Sequence, residues 1–442
     1  MWKLKSLTFS GGIHPLAEQD WKAATKASPL RVFAPASVVI PMRQHLGRPC
    51  APCVKPGDEV LLGQMIGEPA SPRDVPVHAS VSGKVVAVEE RPHVTAGMML
   101  AVVIENDGQD KPDPSIQPRS AAEVEALRPE QLRDIIRDAG IVGMGGAEFP
   151  THLKLDVKGK VDYLLINGAE CEPSLTGDHR QMLENGDLVV KGAVLLMRAC
   201  GAKECVIGIE GKPDAAEAIQ KAAEGAREVR VLQLKVKYPQ GAEKMLIASV
   251  TGRKVPAGGL PAAVGCVVDN VSTAVAVAEA VYEGAPLTRR SVTVNGAVGQ
   301  PGNLLLRIGT TFRDAVNFCG GFVGTPQKII SGGPMMGTAV AEPDVPVTKG
   351  GSGITVFNQI TDPVTVEGNC LRCGRCVEAC PLQLTPQAIS EAYLAERLDL
   401  CGELRADLCM KCGCCTFVCP AKRHLSQTVD LAKRALAAQG RR

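Results

Sequence analysis

The pattern that most restricts this chain lies between Cys370 and Pro420. Cys370, Cys373, Cys376 and Cys380, the last followed by Pro381, are separated by two, two and three residues. Cys409, Cys412, Cys415 and Cys419, followed by Pro420, repeat that spacing at a constant offset of 39 residues (409 − 370). Thiolates two and three residues apart reach adjacent irons of one cube, and the proline turns the chain away after the fourth. Structural zinc uses paired CxxC motifs or adds histidine, and secreted disulfide frameworks are usually shorter chains. Two [4Fe–4S] clusters, and so one-electron transfer, are the reading that fits.

The spacing resembles that of bacterial two-cluster ferredoxins, in which the fourth cysteine of each run serves the other cluster. It assigns Cys370, Cys373, Cys376 and Cys419 to one cluster, and Cys409, Cys412, Cys415 and Cys380 to the other. Thr385-Pro386 opens a helix between the runs, burying Ile389, Tyr393 and Leu398. A helical insert of this length is similar to alpha-helical ferredoxins.

Of the 17 cysteines these runs account for eight, a usage suited to a reducing cytoplasm. A net charge of +2 argues against a nucleic-acid partner. No secretory signal is expected at Met1 to Ser10, and the longest apolar candidate, Val189 to Cys200, is interrupted by Lys191 and Arg198. The expectation is a soluble chain, or one held at a membrane by a partner.

At 442 residues there is room for about three domains. Residues 1–30 form an N-terminal segment with Gly11-Gly12-Ile13-His14-Pro15, where His14 reads as a turn residue, and a helix-like run around Trp21. Residues 31–106 read as short strands, among them Ala36–Ile40, Glu59–Leu62 and Lys84–Val88. They resemble the barrel-sandwich hybrid of biotinyl and lipoyl domains, without a lysine in the hairpin that carries the swinging arm. Cys50 and Cys53, a lone CxxC, read as free thiols. After a Pro-rich linker, residues 119–286 alternate strands (161–166, 205–209, 229–236) with helices (188–199, 215–226), which implies a parallel, Rossmann-like sheet. Residues 287–345 suggest a small β-grasp module, in which Cys319, Met335 and Met336 read as packing residues. Residues 342–353, rich in Pro and Gly, read as a hinge, and residues 360–442 hold the cluster domain and a basic amphipathic C-terminal helix. The fold class expected is α/β multidomain.

Two stretches of the third block carry ligand chemistry. Gly143, Gly145 and Gly146 let backbone amides approach a phosphate, and Lys154 adds positive charge. Asn167 to Arg180 follows a parallel strand, where α/β sheets bind ligands; there Glu170 and Glu172 need hydrogen-bond partners.

"GMGGAEFPTHLK", "NGAECEP", "YPQGAEKMLIASVTGRKVPAGG" and "VVDNVSTAVAVAEAV" occur in that order. They resemble the flavin- and NADH-binding segments of the 51-kDa flavoprotein subunit of respiratory complex I. With "GGIHP", the cysteine runs and "GGPMMG", nearly the whole chain is similar to the C-subunit family of the Rnf electron-transport complex. The resemblance implies FMN held by Gly143, Gly145, Gly146, Lys154 and Asn167. It implies Glu170 and Glu172 near flavin and nicotinamide, with Tyr238, Gly241 and Glu243 from one further motif and Asp269, Asn270 and Thr273 from another. Ala169 and Ala242 stand where the complex I subunit has acids. The β-grasp unit resembles the soluble-ligand-binding module of that subunit.

The implied activity is NAD(H)-dependent electron transfer through FMN and two [4Fe–4S] clusters. The implied place is peripheral, on the cytoplasmic face of the bacterial cell membrane. Partners would be the other Rnf subunits, which translocate the ion, and ferredoxin or a ferredoxin-like subunit. Two alternatives stay open: a soluble flavin/iron–sulfur reductase such as a cobalamin reductase, and an electron-wiring subunit that no longer reacts with NADH.

Overall fold

The computed structural model describes residues 7–15, 22–95, 97–360 and 366–440; the run around Trp21 lies outside them. Two antiparallel sheets build the first β unit. One orders Ser37–Pro41, Gly97–Asn106, Gly83–His93 and Glu59–Val60; the other orders Ala51–Pro52, Met65–Glu68 and Val77–His78. Alternating residues such as Val38, Ile40, Val102 and Ile104 are fully buried between them with Ile66 and Val77. Each such aliphatic side chain contributes roughly 1.5–3 kcal/mol by leaving water.

Leu30–Phe33 does not join this unit. It pairs in parallel with Gly302–Arg307 in a six-stranded mixed sheet. That sheet continues through Arg289–Gly296, Gly353–Phe357, Lys328–Ser331 and Thr338–Val340. It thus takes a strand from the stretch read as the first β unit and another from beyond residue 345. Gly353–Phe357 ("GITVF") is buried throughout, an apolar strand concealed behind Pro- and Gly-rich sequence.

That sequence is not a hinge. Val345 and Val347 are buried, and their carbonyls accept from Phe312 N and Gly309 N at 3.0 and 2.8 Å. Lys349 is 1% exposed and donates to Pro76 O and Gly140 O, each at 2.7 Å. One buried ammonium therefore ties the first β unit to the α/β unit.

In the α/β unit four parallel strands run in the order Val229–Leu234, Glu204–Glu210, Tyr163–Gly168, Cys266–Asn270. The last strand, "CVVDN", is too short to stand out in the sequence. Its position decides the topology, because chain order reverses between Tyr163–Gly168 and Cys266–Asn270. Helices Gly186–Cys200 and Val271–Ala278 cover one face with Leu164, Ile166, Leu196 and Val271 in the core.

The C-terminal unit packs Pro386–Leu394, Leu398–Glu403 and Leu425–Gln439 around Ile389, Cys401, Val429 and Ala432. The apolar face of the last helix is therefore covered by the cluster unit itself. Among the described residues no helix is long and apolar enough to cross a membrane.

Candidate functional site

In an open parallel sheet a ligand crevice forms beyond the strand C-termini where chain order reverses. Here Asn167 and Asn270 sit opposite each other at that point. Asn167 Nδ2 donates to Gly241 O at 2.7 Å, and its Oδ1 accepts from Ala169 N at 3.2 Å. Asn270 caps the helix Val271–Ala278 by accepting from Ser272 N, and its Nδ2 donates to Asp178 Oδ2 at 2.7 Å.

The glycine loop closes over the same edge. Met144 N donates to Thr273 Oγ1 at 3.0 Å. Gly145 has φ +70°, and a side chain there would press on Asn270, whereas one at Gly146 would meet nothing. Lys154 Nζ donates to Val268 O at 2.9 Å and Asp269 Oδ1 at 3.1 Å. Asp269 Oδ2 is buried without a partner. Burial pushes the Asp269 carboxyl above the usual range, opposed by Lys154. Desolvation likewise raises Glu243, which faces the same lysine. Glycine-lined amides, a cation and an orphaned buried acceptor on one rim fit a flavin phosphate and its polyol.

Glu170 and Glu172 meet different fates. Glu170 accepts from Asp178 N and His179 N at 2.7 and 3.1 Å, capping the helix Gly177–Glu184. Glu172 accepts from Met335 N and Met336 N at 3.1 and 2.7 Å and from Tyr238 OH at 3.4 Å. Burial pushes the Glu172 carboxyl up to about 7, with the two amides acting against the shift. Tyr238 also donates to Cys412 O at 2.7 Å. Residues grouped by sequence motif are thus split between the crevice and a joint with the cluster unit.

Sequence reasoning missed Asp178, which accepts from Asn270 and Ser272, and Arg290. The buried guanidinium of Arg290, lowered to about 10 by desolvation, backs the glycine loop by donating to Met144 Sδ and Gly351 O. Asp178 lies within the stretch Asn167 to Arg180 but was not singled out there, Arg290 lies in no recognisable motif, and only the folded register brings them here.

The cysteines surround two cavities. Cys370, Cys373, Cys376 and Cys419 line one of them. Cys380, Cys409, Cys412, Cys415 and the extra Cys414 line the other. The fourth cysteine of each run therefore reaches the cavity of the other run. Among the described residues no three such side chains converge as on a single metal ion; the thiols stand around voids instead. The repeat extends to the backbone, since Arg372 and Lys411, Gly374 and Gly413, and Gln383 and Lys422 all have positive φ. Arg372 N and Lys411 N donate to Cys370 and Cys409 sulfurs, both at 3.4 Å. These donor sets fit iron–sulfur cubes, whose potentials respond to such N–H···S bonds. Cys401 instead lies in the helical core, its thiol near Ile389 O.

Residues 136–279 match the family profile of the Nuo51 FMN-binding domain, residues 7–109 that of the RnfC barrel sandwich hybrid domain, and residues 291–339 that of the SLBB domain. The C-subunit of the Na(+)-translocating ferredoxin:NAD(+) oxidoreductase complex of Acetobacterium woodii is 46% identical over 444 residues, covering 99% of each chain. The chain belongs to the RnfC family. A second RnfC relative, from the proton-translocating ferredoxin:NAD(+) oxidoreductase complex of Clostridium ljungdahlii, is 48% identical over 87% of this chain and 84% of its own. The RnfC fold is also similar to that of a chain of an NAD+-reducing [NiFe]-hydrogenase, with a TM-score of 0.50 and 21% identity. That likeness covers 73% of this chain and 63% of the hydrogenase chain. In this RnfC chain the crevice lies within the segment that matches the FMN-binding profile.

Proposed function

We propose that this chain is the peripheral NAD(H)-interacting subunit of a membrane-bound, ion-translocating ferredoxin:NAD oxidoreductase, passing electrons between NADH, FMN and two [4Fe–4S] clusters. The observation that carries this reading is the shared edge. The crevice of Asn167, Lys154, Asp269 and Asn270 is joined to the second thiol-lined cavity through Glu172, on the loop that follows Asn167, and Tyr238, which donates to Cys412 O.

Bound FMN would supply the exchange between two-electron hydride chemistry and one-electron cluster chemistry. The chain's own part is binding and orientation. Gly145 and Gly146 offer amides; Gly143, whose own N–H goes to Phe149 O at 2.8 Å, leaves room for Lys154, which offers charge; and Asn167, Gly241, Asp269, Asn270 and Thr273 shape the rim. Glu243 stands beside Lys154 to orient nicotinamide, while Glu170 and Glu172 fix the loop that separates crevice from joint. The cysteine sets are those assigned above. Other subunits would move the ion, ferredoxin or a ferredoxin-like subunit would exchange electrons, and the chain would sit at the cytoplasmic face of the membrane.

The test is anaerobic mixing of the iron-reconstituted, FMN-loaded protein with NADH. Loss of flavin absorbance together with bleaching of the cluster band is the expected result. Flavin that stays oxidised with NADH, while dithionite reduces everything, would make the chain an electron-wiring subunit.

A further inference from the structure

The two cysteine runs have similar backbones but unlike surroundings. Around the first cavity Cys373 is exposed, as are Arg372 and Leu371, the latter by 67%. The second cavity is bordered by peptides that three other parts of the chain hold.

Tyr238, only 1% exposed, donates its hydroxyl to Cys412 O and packs with Ile13, Ala379 and Cys414. Ile13 and Tyr238 exchange backbone hydrogen bonds at 2.8 and 2.9 Å, and Gly12 N donates to Ala379 O at 2.9 Å. Gly11 has φ +73°, and a Cβ there would lie 2.6 Å from Cys380 O, so the approach requires glycine. Glu172 holds the Met335–Met336 amides, and Met335 in turn lies against Gly413. Among the described residues these contacts to the cluster unit fall on Ala379–Pro381 and Cys412–Cys414, with Met410 and Val418 packed alongside. Both stretches carry a cysteine of the second cavity. Glu172 lies five residues after Asn167 of the crevice, on the loop that follows its strand.

We propose that Tyr238 is a positioning residue which, with Glu172, seats the cluster of Cys409, Cys412, Cys415 and Cys380 as the relay on the flavin side. This inference rests on the two-cluster reading above. The cluster of Cys370, Cys373, Cys376 and Cys419 is then the outward one, facing the electron partner. Tyr238 acts through the Cys412 peptide, so its loss alters the environment of one cluster and not the other.

Potentiometric EPR titration of the reconstituted protein tests this without flavin or NADH. Cys373→Ser and Cys409→Ser first identify which signal belongs to which cavity. Tyr238→Phe is expected to shift only the signal that Cys409→Ser removes, by about a tenfold change in its reduction equilibrium constant, or about 59 mV for one electron. Should Tyr238→Phe fail to take up iron, Glu172→Gln loosens the same joint and is expected to move the same signal. In rapid-freeze mixing of the FMN-loaded protein with NADH, Cys373→Ser is expected to keep fast reduction of its remaining cluster. Cys409→Ser is expected to slow reduction of its own at least a hundredfold. A shift confined to the signal lost in Cys373→Ser, no shift at all, or the reverse order of reduction would overturn the inference while leaving the two-cluster reading intact. A wild-type protein that takes up no iron would overturn both.

Discussion

Lys154 lies 3.1 Å from Asp269, and the second oxygen of that carboxylate is buried with no hydrogen-bond partner. Removing one member of a buried ion pair strands the other in a medium that solvates it poorly, at a cost of roughly 3–5 kcal/mol. Lys154→Met is therefore expected to lower the urea midpoint and to weaken FMN binding at least tenfold, about 1.4 kcal/mol. Adding Asp269→Asn is expected to restore much of the stability but not the affinity. Denaturation and flavin-fluorescence titration of both variants separate the two roles.

Gly146 separates binding from folding more cleanly. A side chain there meets no protein atom within 4 Å, so Gly146→Leu should change stability by no more than about 0.5 kcal/mol. Its side chain would occupy space that a flavin phosphate needs. FMN affinity is expected to fall more than tenfold with an unchanged melting temperature. Equal loss of both would mean that the loop packs more tightly than its open side implies.

Lys349 gives a pH signature. Burial lowers its ammonium to about 8 from 10.5. A base with a depressed folded pKa adds stability above its unfolded pKa and loses it as pH falls through the folded one. The wild type should thus gain stability from pH 8 to 10.5. Lys349→Met, which also strands Pro76 O and Gly140 O, should be less stable at pH 7.5 by about 1–3 kcal/mol, with the gap widening up to pH 10.5. On the acid side burial holds His78 at about 3, against 6.5 unfolded. Its contribution is present above 6.5 and lost towards 3. Chemical denaturation across both windows is the measurement.

Cys414 lines the second cavity, yet it lies outside the repeated spacing and its counterpart 39 residues earlier is Arg375. Cys414→Ala is expected to retain about eight irons per chain, as two four-iron cubes require. Cys415→Ala, one residue on, is expected to lose about four. Iron analysis after anaerobic reconstitution distinguishes a bystander thiol from a ligand.

What the sequence reveals and conceals follows the range of the interactions concerned. The 39-residue offset was legible because ligand spacing is local, and it reappears in paired left-handed residues such as Gly374 and Gly413. The helices around Leu196 and Val429 were legible from apolar periodicity. Cys266–Asn270 was not, since five residues carry too little period, although this strand creates the reversal that places Asn270 opposite Asn167. Gly353–Phe357 was masked by its Pro- and Gly-rich approach. Arg290 behind the glycine loop, Lys349 between two units and the Tyr238–Cys412 contact have partners distant in sequence, which no local signal betrays. Motif likeness grouped Glu170, Glu172 and Tyr238 with the crevice, and only the hydrogen bonds separate a cap and a joint from it.

The strand Leu30–Phe33 has a consequence for how the chain is made. Its partner, Gly302–Arg307, emerges from the ribosome only after the first β unit and the α/β unit have been synthesised. Until then "LRVF" waits with an open hydrogen-bonding edge, and such edges invite pairing with other chains. Pairing across so long a separation is intrinsically slow. The crevice can be shaped early, while the sheet that holds Arg290 behind it closes late. A nascent chain stalled before residue 302 would carry a flavin-binding unit without its backing, and with one edge open to aggregation.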